Sequence, residues 1–96
     1  MRIQVTQRRS IMQVSNAVAL RLKAVVEADP GSLVRVLQFF QARNLIPRSV
    51  ASERLGDEYL QIQIELDPAE LAADGFRVVV SKINELPIVL AAVACE

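Results

Sequence analysis

The chain of 96 residues lacks the side chains that most catalytic and metal sites require. It contains no histidine, which excludes imidazole acid–base catalysis and histidine ligands for zinc. Cys95 is the one cysteine, so an intrachain disulfide and a Cys-x-x-Cys metal site are excluded, and a reducing, cytoplasmic location is expected. The longest apolar run, residues 87–95, is too short to cross a bilayer, so we expect no membrane association.

What the chain does contain is the composition of one globular domain. Hydrophobic residues make up 52% and charged residues 23%, which suits a single core. Eleven basic side chains balance eleven acidic ones, so the net charge favours neither nucleic acid nor an acidic membrane as a partner. We expect residues 1–18, which are polar and basic, to form an N-terminal arm that is disordered or adds a short strand, and residues 19–96 to form the folded domain.

Hydrophobic periodicity predicts four strands and two helices in the order strand, helix, strand, strand, helix, strand. Apolar and polar residues alternate most regularly in the first and third strands, whereas the helices repeat apolar residues every three to four positions. Pro47 cannot donate to a strand ladder, so the second strand is placed at a sheet edge. The predicted strands cover residues 20–27, 46–55, 59–66 and 88–95, and the predicted helices cover residues 32–43 and 76–85.

This order of elements predicts an α+β fold, the ferredoxin-like βαββαβ sandwich. A four-stranded antiparallel sheet then carries both helices on one face. The expected order across the sheet is fourth, first, third, second. That order puts the strand with Pro47 at one edge and the two most regular strands in the centre.

Two functions that ferredoxin-like folds support are disfavoured by particular residues. RNA recognition requires aromatic residues on the two central strands, and Tyr59 is the one aromatic residue there. Acylphosphatase-like catalysis requires an arginine in a phosphate-binding loop after the first strand, and Arg35 comes too late in the helix. We therefore expect no enzyme activity, no cofactor, no metal and no nucleic-acid partner.

The most informative segment is residues 27–36, where a strand runs into a tight turn that opens a helix. Backbone N–H groups at the helix start can hold a carboxylate, and Gly31 can let a ligand or a neighbouring chain approach closely. A purely structural interpretation is also available, and the residues alone favour it. In it, Asp29 caps the helix and Gly31 serves the turn. The residues alone leave both interpretations open.

Two segments carry a resemblance to a known family. Asp29-Pro30-Gly31-Ser32-Leu33, followed by Arg35-Val36, Phe40 and Arg43, resembles the opening of an ACT domain. Ser81-Lys82-Ile83-Asn84-Glu85-Leu86-Pro87-Ile88-Val89 is similar to the run where the second helix meets the last strand in the small regulatory subunits of acetolactate synthase. The resemblance spans residues 19–96. It implies a homodimer that forms through a sheet edge and helices, an amino-acid effector at the dimer interface, and a larger thiamine-diphosphate catalytic subunit as partner.

The resemblance also implies which residues act. Asn residues of the valine-binding relatives correspond to Ala28 and Ile46 here, so we expect weak or absent valine binding, with about 1–3 kcal/mol lost for each missing hydrogen bond. The implied effector site is formed by main-chain groups of one chain and by edge residues of the neighbouring chain. The implied interface with the catalytic partner is formed by four further residues. The effector-site residues are Ala28, Asp29, Pro30, Gly31, Ser32, Leu33, Ile46 and Val50, and the interface residues are Val34, Phe39, Pro47 and Arg48.

Two functions follow from the resemblance and stay open. The first is a non-catalytic small subunit that binds and activates acetolactate synthase in branched-chain amino-acid biosynthesis. The alternative is a stand-alone homodimer that senses an amino acid or another small molecule.

Overall fold

The computed structural model describes residues 19–95, which form four strands and two helices. The sheet order is β2-β3-β1-β4 with every pairing antiparallel, which confirms the predicted topology. The predicted arm, residues 1–18, lies outside the described residues. The elements are β1 (Leu20–Glu27), α1 (Ser32–Ala42), β2 (Ser49–Leu55), β3 (Tyr59–Leu66), α2 (Ala73–Asn84) and β4 (Val89–Cys95).

The two central strands supply the floor of the core. In the antiparallel register of β1 and β3, Leu22 lies opposite Ile64 and Ala24 lies opposite Ile62. All four side chains are buried, because residues two apart on a strand point to the same face of the sheet. Alternation in the sequence therefore predicted both the strands and the face that packs against the helices.

The helices cover that face with their apolar stripes. Val36 and Phe40 of α1 are buried, and α2 contributes four further buried side chains, Phe76, Val79, Val80 and Ile83. The chain leaves α1 through Asn44, whose φ of 62° is the left-handed conformation expected from an asparagine after a helix. Among the described residues, no helix is long and apolar enough to cross a membrane.

Two predicted boundaries were wrong by three residues each. The strand predicted from residue 46 begins at Ser49, and the ladder to β3 is first joined by Arg48, whose N–H donates to the carbonyl of Glu65. The helix predicted from residue 76 begins at Ala73, so Gly75 lies inside its first turn and does not interrupt the helix. N–H groups in a first helical turn have no intrahelical acceptor to lose, and glycine is tolerated there.

The two edges of the sheet differ in how they are protected. At the β4 edge, the Asn84 side chain donates to the carbonyl oxygen of Ala92 at 2.7 Å and accepts from its N–H at 2.9 Å. At the β2 edge, all seven residues of the strand are exposed to solvent. Unpaired strand edges readily accept another strand. In the described part of the chain, the β4 edge is therefore partly covered by the Asn84 side chain, whereas the β2 edge is accessible to another strand.

Candidate functional site

The loop between β1 and α1 is folded around Asp29. The N–H of Gly31 donates to Asp29 Oδ2 at 2.9 Å, and the N–H of Ser32 donates to the Asp29 carbonyl oxygen at 3.0 Å. Asp29 thus closes a turn just before α1, whose N-cap residue is Gly31 and whose first turn has no side-chain capping bond. The main-chain donors of Gly31 and Ser32, which the resemblance assigned to an effector, are already bonded.

Gly31 has an ordinary backbone conformation, with φ −87° and ψ −7°. Left-handed geometry is therefore not the reason for glycine at this position. A Cβ at Gly31 would lie 3.3 Å from Asp29 Oδ2, tighter than usual contact. The absent side chain leaves room for the aspartate turn.

Ser32 is separated from solvent in the single chain. Its exposed fraction is 0%, and its hydroxyl oxygen has no hydrogen-bond partner in the described structure. A buried hydroxyl without a partner costs free energy that folding must offset. Ser32 therefore belongs to the core beneath the loop and does not line a ligand pocket.

Four of the predicted effector residues do meet in one pocket beside the loop. Ala28, Asp29, Pro30 and Leu33 surround a space of about 310 Å³ together with Arg54 and Leu60. Arg54 and Leu60 were not predicted at this site, because the β2–β3 pairing brings them to a loop that is far away in sequence. The one available signal was the alternation of side chains along the strands, because residues that pair across two antiparallel strands point to the same face of the sheet. Arg54 pairs with Leu60, so it takes the face of the sheet that carries the helices.

Charged groups of both signs line this pocket. Arg54 Nη2 donates to the Asp57 carbonyl oxygen at 3.3 Å and lies 3.9 Å from Asp57 Oδ1. Both side chains are largely exposed, so this pairing is weak. Within residues 19–95, Arg54 Nε and Nη1 and Asp29 Oδ1 have no bonded partner. The Arg54 guanidinium is therefore available to an anionic group of a ligand, and the Asp29 carboxylate is available to a cationic group.

The other predicted effector residues, Ile46 and Val50, line a separate and larger groove. This groove of about 640 Å³ lies between α1 and β2, with Leu37 and Phe40 among its apolar walls. Ile46 is 75% exposed, the highest exposure among the large hydrophobic residues of the described structure. Pro47 and Arg48, two of the predicted interface residues, line the same groove.

The remaining predicted interface residues lie on different sides of α1. Val34 is 55% exposed, whereas Phe39 is half-buried and packs against the core. Five residues apart on a helix, they are separated by about 140° around the axis. The Arg43 guanidinium carbon lies 5.9 Å from the centre of the Phe39 ring. The four interface residues therefore do not form one continuous patch in a single chain.

A family model for the ACT-like domain matches residues 10–96, most of the chain. The chain belongs to the ACT-like domain family. No curated protein matches it. ACT domains are small regulatory domains, not catalytic ones, that commonly dimerise and bind amino-acid effectors. No group of three acidic or cysteine side chains suited to a metal ion occurs in the described part of this ACT domain.

Solved structures share the fold at low sequence identity. The crystal structure of the ACT domain from the GTP pyrophosphokinase of Chlorobium tepidum aligns with a TM-score of 0.66 at 10% identity, covering 80% of this chain and 96% of that one. The C-terminal domain of the MgtC protein from Mycobacterium tuberculosis aligns with a TM-score of 0.61 at 16% identity, covering 80% and 84%.

An enzyme contains the same fold as a minor part of its chain. A formyltetrahydrofolate deformylase from Pseudomonas syringae pv. tomato aligns with a TM-score of 0.63 at 17% identity, covering 79% of this chain and 27% of that one. Identities this low establish the ACT fold and leave the function to be argued from the residues.

Proposed function

We propose that this ACT domain is a non-catalytic regulatory protein of the cytoplasm that works as a homodimer. The observation that carries the proposal is the difference between the two sheet edges. Asn84 blocks the β4 edge, whereas β2 is exposed along its whole length beside an apolar groove. Pairing β2 with the β2 of a second copy would extend the sheet and cover the groove with apolar surface.

Charge along β2 favours one register for that pairing. A two-fold axis at Ser52, the middle residue of the strand, overlaps the whole strand and places Arg54 opposite Val50 of the second copy. An axis at Ala51 would oppose Arg54 to a second Arg48. An axis at Glu53 would oppose two copies of that carboxylate. Like charges directly opposite each other destabilise a ladder, so the axis at Ser52 is preferred.

The finer proposal is that the dimer is the small subunit of acetolactate synthase and activates its larger thiamine-diphosphate catalytic subunit. Its support is the resemblance of the two segments that form the β1–α1 loop and the end of α2. The apolar Ala28 and Ile46 at the two asparagine positions support weak or absent inhibition by valine. The exposed Val34 and the half-buried Phe39 are the proposed contacts of α1 with the catalytic subunit.

The test is a pull-down of the tagged full chain from extract of its own cells, with the bound proteins identified by mass. A co-purifying thiamine-diphosphate enzyme whose acetolactate synthesis rises on addition of the chain supports the proposal. Val34→Asp should weaken that complex, and Val78→Asp, a similarly exposed valine on α2, should not. Recovery of the tagged chain alone contradicts the proposed complex. Equal effects of the two variants contradict the proposed contact at Val34.

A second candidate function is a stand-alone homodimer that senses a small molecule. The observation that favours it is the pocket formed by the β1–α1 loop and Arg54, because all its walls come from one chain. A ligand that binds only the folded state raises the melting temperature. The prediction is a dimer by sedimentation that has no protein partner and gains thermal stability with an amino acid.

A further inference from the structure

We propose that a basic groove between α1 and the α2–β4 loop binds a short extended segment of a partner protein, in which two acidic residues flank an apolar one. The inference rests on the proposed function, in which Phe39 contacts the catalytic subunit, and it names the chemistry of that contact. The groove encloses about 320 Å³. Its lining residues are Arg35, Gln38, Phe39, Ala42, Arg43 and Leu86.

Charge is the first observation that identifies the occupant. α1 contains no acidic residue, and two arginines but no carboxylate line the groove. Arg35 is exposed and has no hydrogen bond or ion pair within residues 19–95. Two positive charges without a counter-charge attract an anionic partner and repel a cationic one. The groove therefore favours carboxylates.

Arg43 is already held in place for such an anion. Its Nη1 donates to the Phe39 carbonyl oxygen at 3.1 Å, and its guanidinium carbon lies 5.9 Å from the centre of the Phe39 ring. Nε and Nη2 remain for a carboxylate, because neither has a bonded partner in the described structure. A side chain that is ordered before binding loses less conformational entropy when the partner arrives.

The spacing along α1 defines the pattern of the segment. Arg35, Phe39 and Arg43 follow at intervals of four residues, so they lie along one side of the helix, with about 12 Å between the two arginine positions. An extended chain covers about 13 Å in four residues, and its alternate residues point to the same side. An acidic, an apolar and a second acidic residue, each two positions apart, would therefore face the three side chains in turn.

Apolar surface lies between the two charges. Phe39 and Leu86 are both half-buried and line the groove, so they can take one aliphatic side chain of the segment. A docked helix usually places several apolar side chains in its groove, and about 320 Å³ is at the lower end of typical pockets. Nucleic acid fits less well, because the whole chain has no net positive charge and the aromatic ring is already approached by Arg43.

The test titrates the full, isotope-labelled chain with capped synthetic pentapeptides and follows backbone amide shifts by NMR at low ionic strength. Glu-Ser-Leu-Ser-Glu should bind more tightly than Ser-Glu-Leu-Glu-Ser, which has the same composition and the wrong spacing, and should shift the amides of residues 35–43. Arg35→Gln and Arg43→Gln should each weaken binding about 2- to 5-fold. Lys23→Gln, which removes an exposed positive charge on the sheet face away from the helices, is the matched control.

A charge-reversed variant keeps the test independent of folding. The double variant Arg35→Glu, Arg43→Glu should prefer Lys-Ser-Leu-Ser-Lys to the acidic peptide. Equal affinity for the two acidic peptides, unchanged affinity in both glutamine variants, or tighter binding of a short oligo-thymidine strand would overturn the inference.

The pull-down with the two glutamine variants separates this failure from failure of the proposed function. If they capture the catalytic subunit as well as the unmodified chain does, the groove assignment fails and the regulatory subunit stands. If the peptides bind with the expected spacing but no catalytic subunit is captured, the groove assignment stands and the proposed complex fails.

Discussion

Asn84 guards one edge of the sheet, and replacing it gives the sharpest test of that role. Its side chain makes both the 2.7 Å and the 2.9 Å hydrogen bonds to the backbone of Ala92. Each such bond contributes about 0.5–1.5 kcal/mol net, so Asn84→Ala removes about 1–3 kcal/mol. Alanine's better helix propensity returns about 0.5 kcal/mol at most at the end of α2. The expected net loss is about 0.5–2.5 kcal/mol.

This loss is measurable by urea unfolding and by calorimetry. For a domain of this size, it should lower the melting temperature by about 2–20 °C. Ser81→Ala is the matched control, because Ser81 is exposed on the same helix and has no recorded side-chain bond in the described structure. Equal urea midpoints for the two variants would show that the hydrogen bonds of Asn84 to Ala92 do not stabilise the fold.

A second readout of Asn84→Ala concerns association. The β4 sequence, Val89–Cys95, contains no charged residue and reads VLAAVAC. Uncharged apolar strands with free edges are prone to pair with other chains. The variant should therefore form assemblies larger than a dimer as protein concentration rises, detected by sedimentation velocity. Unchanged assembly would mean that other features protect this edge.

Three further substitutions test separate features. If the two-fold axis passes through residue 52, Ser52→Cys in a Cys95→Ser background should form a disulfide-linked dimer under mild oxidation. A non-reducing gel that shows monomer alone would count against this register. Gly56→Ala should destabilise by about 1–2 kcal/mol because Gly56 has φ +65°. Gly31→Ala should destabilise less, because its φ is ordinary and the new Cβ requires only a small shift of the Asp29 side chain. Similar urea midpoints for the two variants would contradict this contrast. Ser32→Ala should stabilise by about 1 kcal/mol by removing an unpartnered buried hydroxyl, and destabilisation would reveal a hydrogen bond to that oxygen.

The sequence predicted the fold well where the periodicity was clear. Strict alternation over residues 20–27 and 59–66 placed β1 and β3 with their buried faces correct. The strand order followed from the βαββαβ sequence of elements and from Pro47 at an edge. Boundaries were missed where local signals were ambiguous. Gly75 looked like an interruption of α2 but lies in its first turn, and Ile46 looked like a strand residue but precedes β2.

The candidate site was predictable only in part, because a pocket is assembled across the sheet. Residues 28–33 were identified from the turn that opens a helix, since that signal is local. Arg54 could not be linked to this loop without the β2–β3 register. The residues alone also left open whether the loop serves the fold or a ligand, and the structure shows that Asp29 accepts the Gly31 N–H.

In the proposed dimer, the exposed β2 edge makes protein concentration itself a regulatory variable. Arg54 lies on the strand that joins the proposed subunits and also lines the pocket of the second candidate function, so in that function ligand binding and subunit pairing order the same segment. Because the conformational entropy of ordering β2 is then lost only once, ligand binding strengthens dimerisation. By thermodynamic linkage, dimerisation strengthens ligand binding by the same factor. Ligand affinity should then rise as the chain becomes more abundant, and the backbone amides of β2 should exchange with solvent most slowly when both ligand and a second subunit are bound.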